Sequence, residues 1–172
     1  RVLDVFARDE DDPLSESLRY ARNQAISKIV KHERITWEQK ADVATLLGLQ
    51  FSPKQEEILR DEHQIRVTRA GRRGGKTWLA AFEAVAVMVK KPGAFLWVVA
   101  PDLRFTYRCW EVIVEFLDKL VAQGVVQYKR KSDSQTRMII ELTNGSRVEG
   151  ESAQEGKNLQ GVALDAVILD EI

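Results

Sequence analysis

The sequence predicts an α/β fold, a mostly parallel sheet flanked by helices, carried behind an N-terminal helical segment. Three observations lead to it. After about residue 60, short apolar runs alternate with helical periodicities, the order that builds strand-helix-strand units. The run Phe95 to Ala100 is apolar at every position, as in a strand buried on both faces of a parallel sheet. Between the first apolar run and the helix after it lies a glycine-rich loop within Thr-Arg-Ala-Gly-Arg-Arg-Gly-Gly-Lys-Thr-Trp, Thr68 to Trp78.

Composition bounds the rest. A chain of 172 residues, 44% apolar and 30% charged, matches one ordinary globular domain with a core of useful size. Lysine plus arginine equals aspartate plus glutamate at 26 each, so a nucleic-acid contact would have to come from a local basic patch. The single cysteine, Cys109, has no internal partner for a disulfide, which suits a reducing compartment. No apolar run reaches the roughly 20 residues of a membrane helix, and nothing resembles a signal peptide. Asn144-Gly145-Ser146 fits a glycosylation acceptor formally but reads better as a turn. The chain begins at Arg1 and ends just after an acidic pair, which reads as part of a longer polypeptide.

Residues 1–13 are rich in Asp, Glu and Arg and read as a loose lead-in. Leu18, Ala21, Ala25 and Ile29 then recur at helical spacing and predict a helix over 14–31. Thr36-Trp37-Glu38-Gln39 has capping-box spacing and Gly48 stands where a helix should stop, giving a second helix. These two make the helical segment 1–50; the rest, 51–172, is read as the α/β domain. It opens with Phe51-Ser52-Pro53-Lys54-Gln55, where Ser52 caps and Pro53 takes the first position of a short helix to about Arg60. Ile65 to Thr68 is read as a strand, 76–90 as an amphipathic helix, 95–100 as the buried strand and 103–123 as a long helix. Strands follow over 125–128 and 136–142, with Asn144-Gly145 as a hairpin signal into 147–149. After a polar stretch containing Gly156 and Gly161, Ala166 to Leu169 is the last strand.

The glycine-rich loop carries chemistry. Gly75-Lys76-Thr77 fits the end of a phosphate-binding pattern, with Ala70 where its first glycine would stand and Gly71 beside it. Between a strand and a helix, backbone N–H groups and the helix N-terminus converge on an anion. Gly74 and Gly75 allow close approach to phosphate, Lys76 can reach the β and γ phosphates, and the Thr77 hydroxyl can ligate Mg²⁺. Trp78, next in the run, is grouped with these as a nucleotide-binding residue. Arg72 and Arg73 can sense a γ phosphate through paired hydrogen bonds, and Arg73 is placed with the catalytic residues. The plain alternative, a glycine-rich turn with solvated arginines, requires a strand, paired glycines, Lys-Thr and an amphipathic helix to coincide by chance.

The second half of the site lies near the last residues. Leu164-Asp165-Ala166-Val167-Ile168-Leu169 leads into Asp170-Glu171. A strand ending in Asp is by itself common, but beside a phosphate loop Asp170 is positioned to hold Mg²⁺ and Glu171 to polarise a water for in-line attack. That division predicts hydrolysis and not nucleotide binding alone. Gln55 could read an adenine edge, and it could equally serve as the capping-box partner of Ser52; both readings stand. Arg104, Arg108, Arg137 and Arg147 are candidates for an arginine finger, and spacing selects none of them. Lys129-Arg130-Lys131 could meet a DNA backbone or be a solvated loop.

With both ends of the site in view, the chain resembles the N-terminal ATPase domain of the large terminase subunit of tailed double-stranded DNA bacteriophages. The resemblance runs from Phe51 to Glu171 and rests on Phe51 to Gln55, the loop Gly71 to Thr77, Ala100-Pro101, Asn144-Gly145-Ser146, Leu159-Gln160-Gly161 and Val167 to Glu171. It implies a P-loop NTPase of the additional-strand (ASCE) type that hydrolyses ATP with Mg²⁺ to move viral double-stranded DNA into a procapsid. It implies as partners the portal protein, the small terminase subunit and further copies in a homo-oligomeric ring, with no membrane, in the host cell cytoplasm. A nuclease domain of the ribonuclease H type would belong to the parent protein and to no residue here. A helicase-like or remodelling ATPase of the same class is the alternative, and a nucleotide-gated binding module that does not turn over is a third.

Overall fold

In this computed structural model the residues described are 34–63, 65–69, 71, 74–153 and 163–170. The helix expected over 14–31 lies outside them. Ile35–Ile172 form one compact unit, so the helix that the sequence placed ahead of residue 50 shares a core with the elements after it.

Each helix boundary has a local cause. Helix α1, Trp37–Leu47, starts at the Thr36–Gln39 capping box and stops at Gly48, whose φ of 66° lets its N–H turn back to Ala44 and Thr45. Helix α2, Pro53–Arg60, starts at the equivalent Ser52–Gln55 box with Pro53 in its first turn. Helix α3, Lys76–Lys90, follows the glycine-rich loop. Strand β1, Phe95–Ala100, is buried along nearly its whole length, and helix α4, Leu103–Ala122, starts where the Asp102 carboxylate accepts the N–H groups of Arg104 and Phe105. Strands β2, Tyr128–Ser134, β3, Arg137–Leu142, β4, Arg147–Ser152, and β5, Ala166–Leu169, complete the set.

The five strands form one sheet in the order β2-β3-β4-β1-β5. Strand β1 pairs in parallel with both β4 and β5, whereas β2, β3 and β4 form an antiparallel meander. The sheet is therefore mixed among the described residues. Its parallel half is built on β1, and the hairpin signalled by Asn144-Gly145 turns the other half antiparallel. That turn is docked as well as tight: Asn144 Nδ2 donates to the Met88 carbonyl at 2.8 Å, and Gly93 N–H donates to the Asn144 carbonyl at 3.1 Å.

Leu96 and Val98 join Phe82, Val85 and Met88 of α3 and Trp110, Ile113 and Phe116 of α4 in a single core, which α1 enters through Val43, Ala44 and Leu47. Burying each such large side chain contributes about 1.5–3 kcal/mol, so this layer outweighs the exposed ion pairs of the surface. Among the described residues no helix is long and apolar enough to cross a membrane.

Three local expectations change. Ile65 to Thr68 is not a strand, and Ile65 and Val67 are 78% and 85% exposed. Apolar alternation gives a strand its face, but the ladder also needs a neighbour for its N–H and C=O groups. Strand β2 starts at Tyr128 and not at Val125, because Gly124, with φ of 74°, closes α4 and returns the Val125 N–H to the Leu120 carbonyl. Consequently Lys129, Arg130 and Lys131 lie in an edge strand, where Lys129 pairs with Glu141 and Lys131 with Asp118. The local positive field is partly neutralised by those carboxylates.

Gly150 of β4 faces Met138 of β3, and a Cβ placed on it would come within 2.8 Å of Met138 Cβ. Gly150→Ala should lower the unfolding free energy by about 1–3 kcal/mol, read from urea midpoints. In a Met138→Gly background, which removes Cβ, Sδ and Cε together, the added cost should shrink, and an undiminished cost would mean that the crowding is not with Met138.

Candidate nucleotide site

The loop and the acidic strand end meet. Thr77 Oγ1 donates to Asp170 Oδ2 at 2.9 Å, across 93 residues of sequence. Two placements produce the contact. Strand β5 runs parallel to β1 with Val99 opposite Leu169, and the Asp170 N–H donates to the Val99 carbonyl at 2.9 Å, so the carboxylate emerges at the carboxyl end of β1. Helix α3 begins at the same end. At the other end of β5, Asp165 locks the register: its carboxylate accepts the Phe95 N–H at 2.8 Å and pairs with Lys91 at 2.6 Å.

The loop backbone is shaped by its glycines. Gly74 N–H donates to the Gly71 carbonyl at 3.1 Å, and Gly75 adopts φ of 73°, a left-handed conformation that side chains disfavour. A Cβ at Gly75 would also stand 3.1 Å from Gln55 Nε2, a tight approach to which the Gln55 amide would have to yield. Helix α3 starts with no side-chain cap, unlike α1, α2 and α4, and has no acidic residue in its first turn. Its leading N–H groups and the positive end of its dipole are thus directed at the loop, the arrangement that attracts an anion. Lys76 folds over this loop, with Nζ donating to the Gly71 carbonyl at 3.3 Å.

Gln55 performs its local capping role and also borders the loop. Its Oε1 accepts the Ser52 N–H at 2.9 Å while Nε2 lies against Gly75. Trp78 packs its ring edge-on against Phe51 and Phe116, with centroids 5.7 and 5.5 Å away. Arg72, Arg73 and Glu171 lie outside the described residues.

The four finger candidates separate by position. Arg147 starts β4 opposite Phe95, where it stacks over the Phe95 ring and pairs with Glu149. That is five residues from the Ala100 end, roughly 16 Å at 3.3 Å per residue. Arg147 therefore cannot serve the site of its own chain. Arg104 and Arg108 lie in the first turns of α4, just past the carboxyl end of β1; Arg104 is paired with Asp102 at 3.0 Å and Arg108 stacks over Phe105. The Arg104 guanidinium holds the Asp102 carboxyl below the usual carboxylate range. Arg137 opens β3, one residue before Met138, which pairs with Gly150.

Sequence reasoning gave no role to Cys109 or to Glu83. Cys109 lies under the site, with Sγ 3.8 Å from the Thr77 carbonyl, and burial together with the Asp170 charge pushes its thiol up to about 12. Among the described residues no three or more His, Cys, Asp and Glu side chains gather for a metal. An Mg²⁺ at a phosphate site needs few, because it keeps waters and phosphate oxygens as ligands. Thr77 Oγ1 and Asp170 Oδ2, already adjacent, suit such a hard cation.

No family model matches the chain. The large terminase subunits of Thermus phage G20c and Thermus virus P23-45 are each 32% identical to it over 145 residues, covering 73% of this chain and 28% of theirs. The chain thus spans under a third of the length of these relatives. The solved large terminase ATPase domain of Thermus phage P74-26 superposes with a TM-score of 0.63 at 26% identity, over 73% of this chain and 55% of that one.

The raised thiol gives a direct check on the packing beneath Thr77. At neutral pH Cys109 should resist iodoacetamide in the folded protein and react fully in denaturant, followed by mass spectrometry. Rapid labelling under native conditions would mean that this part of the site opens readily.

Proposed function

We propose that the chain, over a segment with the fold of the phage large terminase ATPase domain, belongs with the large terminase subunits of tailed phages and hydrolyses ATP to drive double-stranded viral DNA into a procapsid. The observation that carries the reading is the Thr77–Asp170 hydrogen bond, which joins the phosphate loop to the acidic strand end. A glycine-rich turn without function would have no reason to meet a carboxylate that arrives from the far end of the chain.

In this reading the phosphates lie on the N–H groups of Gly74, Gly75 and the first turn of α3, with Lys76 reaching toward the β and γ oxygens. Arg72 and Arg73 sense the γ phosphate, Arg73 bearing directly on its transfer. Gln55 meets the base from the start of α2. Thr77 and Asp170 hold Mg²⁺, which when bound neutralises charge on the β and γ phosphates. Glu171 orients a water and accepts its proton as the water attacks in line. With Arg147 excluded in cis, an arginine from Arg104, Arg108 or a neighbouring copy completes the site, which fits action as a homo-oligomeric ring. The portal protein, procapsid, small terminase subunit and DNA are the partners of this reading and the host cytoplasm its location; endonuclease activity belongs to a separate domain of the parent protein.

Two variants test the assignment in the assembled packaging system. Lys76→Ala should abolish ATP binding and leave no nuclease-protected DNA in procapsids. Glu171→Gln should retain ATP affinity while turnover falls by about 10²–10⁴-fold. Wild-type turnover in Glu171→Gln would remove Glu171 as the base, and normal packaging by Lys76→Ala would remove the motor reading altogether.

A further inference from the structure

Two cations from different parts of the chain converge on one carboxylate away from the phosphate loop. Lys40 Nζ of α1 and Arg66 Nη1, from the segment leading into the loop, donate to the same Glu83 Oε1 of α3, at 2.8 and 2.9 Å. Each cation also satisfies a carbonyl in the last turn of α2: Lys40 donates to Leu59 at 2.6 Å and Arg66 to Ile58 at 2.9 Å. The Lys40 and Glu83 side chains are only 7% and 15% exposed. Charges this far from water persist only when paired, so Glu83 neutralises a site that would otherwise repel itself.

The cluster ties the C-terminal end of α2 to α3. At the N-terminal end of α2, Phe51 packs against Trp78 and Phe82 of the same helix, with centroids 5.7 and 4.9 Å away. Helix α2 is thus pinned to α3 at both ends, and between the pins lies Gln55 with Nε2 against Gly75. Glu83 is eight residues beyond Gly75, about 12 Å along the helix, too far to touch a ligand in the loop.

We infer that Glu83 is a positioning residue of the nucleotide site: by holding Lys40 and Arg66 it fixes α2 against α3, and so sets how Gln55 meets the base. The inference rests on reading the loop as a phosphate site. It goes further by assigning base recognition to a charge cluster that contacts no nucleotide. In this reading phosphate and Mg²⁺ binding uses groups of α3, the loop and Asp170, none of them on α2. Disturbing the cluster should therefore weaken recognition of the base and leave recognition of the phosphates unchanged.

The test is calorimetric titration of the full chain with Mg²⁺-ATP and, separately, with Mg²⁺-tripolyphosphate, which lacks base and sugar. Glu83→Gln should weaken ATP by about tenfold, the scale on which such coupled networks act, and leave tripolyphosphate within about twofold. Gln55→Ala should give the same selective loss, and adding Glu83→Gln to it should give no further loss. Equal weakening of both ligands, or undiminished ATP affinity, would overturn the inference, because a purely structural role moves both together. If Glu83→Gln fails to fold, Arg66→Gln is read by the same criteria, its side chain being 27% exposed and better able to lose its partner. Lys76→Ala separates the two layers: unimpaired tripolyphosphate binding there would overturn the phosphate-site reading itself and not just the clamp.

Discussion

Parallel pairing of β1 with β5 is the constraint on which the site depends. Parallel neighbours end on the same side of a sheet, so Asp170 at the end of β5 and the loop opening α3 are delivered to one edge. An antiparallel β5 would carry Asp170 to the Phe95 end, beyond the reach of Thr77. The register is secured at both ends of the pair. Asp165 engages the Phe95 backbone and Lys91 at one end, and the Asp170 N–H engages Val99 at the other. A slip of one residue would turn the inward residues of the strand outward and break both anchors.

Beneath that edge the protein is apolar, and this sharpens the electrostatics above it. Cys109 is buried directly under Thr77 and kept protonated by burial and by the Asp170 charge. A neutral thiol adds no competing negative charge beneath the loop. The same reasoning applies to α3, whose first turn carries no carboxylate: an acidic cap would satisfy its N–H groups and occupy the place of an anion. The other three helices are closed by their own side chains, while α3 begins with its donors directed at the loop.

Much of this was readable from local signals. Capping boxes at Thr36 and Ser52, Gly48 as a stop, the all-apolar β1 and the Asn144-Gly145 turn each depend on residues within a few positions of one another. What failed or stayed silent depends on partners distant in sequence. Ile65 to Thr68 has a strand's alternation but no ladder among the described residues, and the basic run at 129–131 reads as a patch until Asp118 and Glu141 are seen beside it. Lys40 looks like a solvated helix position and Glu83 like one more surface acid; their pairing spans 43 residues and no local pattern announces it. The loop and the acidic pair were legible as motifs, but their contact is a property of the sheet.

The position of the arginines follows from the same geometry. A residue can assist chemistry at Asp170 from within the chain only if it stands at the carboxyl end of the parallel strands. Arg147 fails that condition because it starts β4 opposite Phe95, whereas the end of β4 at the site is Ser152. Arg104 meets it, since α4 starts immediately after β1, and its partner Asp102 is no obstacle: the Arg104 side chain is 83% exposed, and an exposed pair of this kind is readily broken. A stronger anion arriving at the edge would compete successfully for that guanidinium, whether the anion is in its own site or in that of an adjacent copy. The distinction between cis and trans assistance therefore turns on where the start of α4 faces in an assembly, and not on any property of the arginine itself.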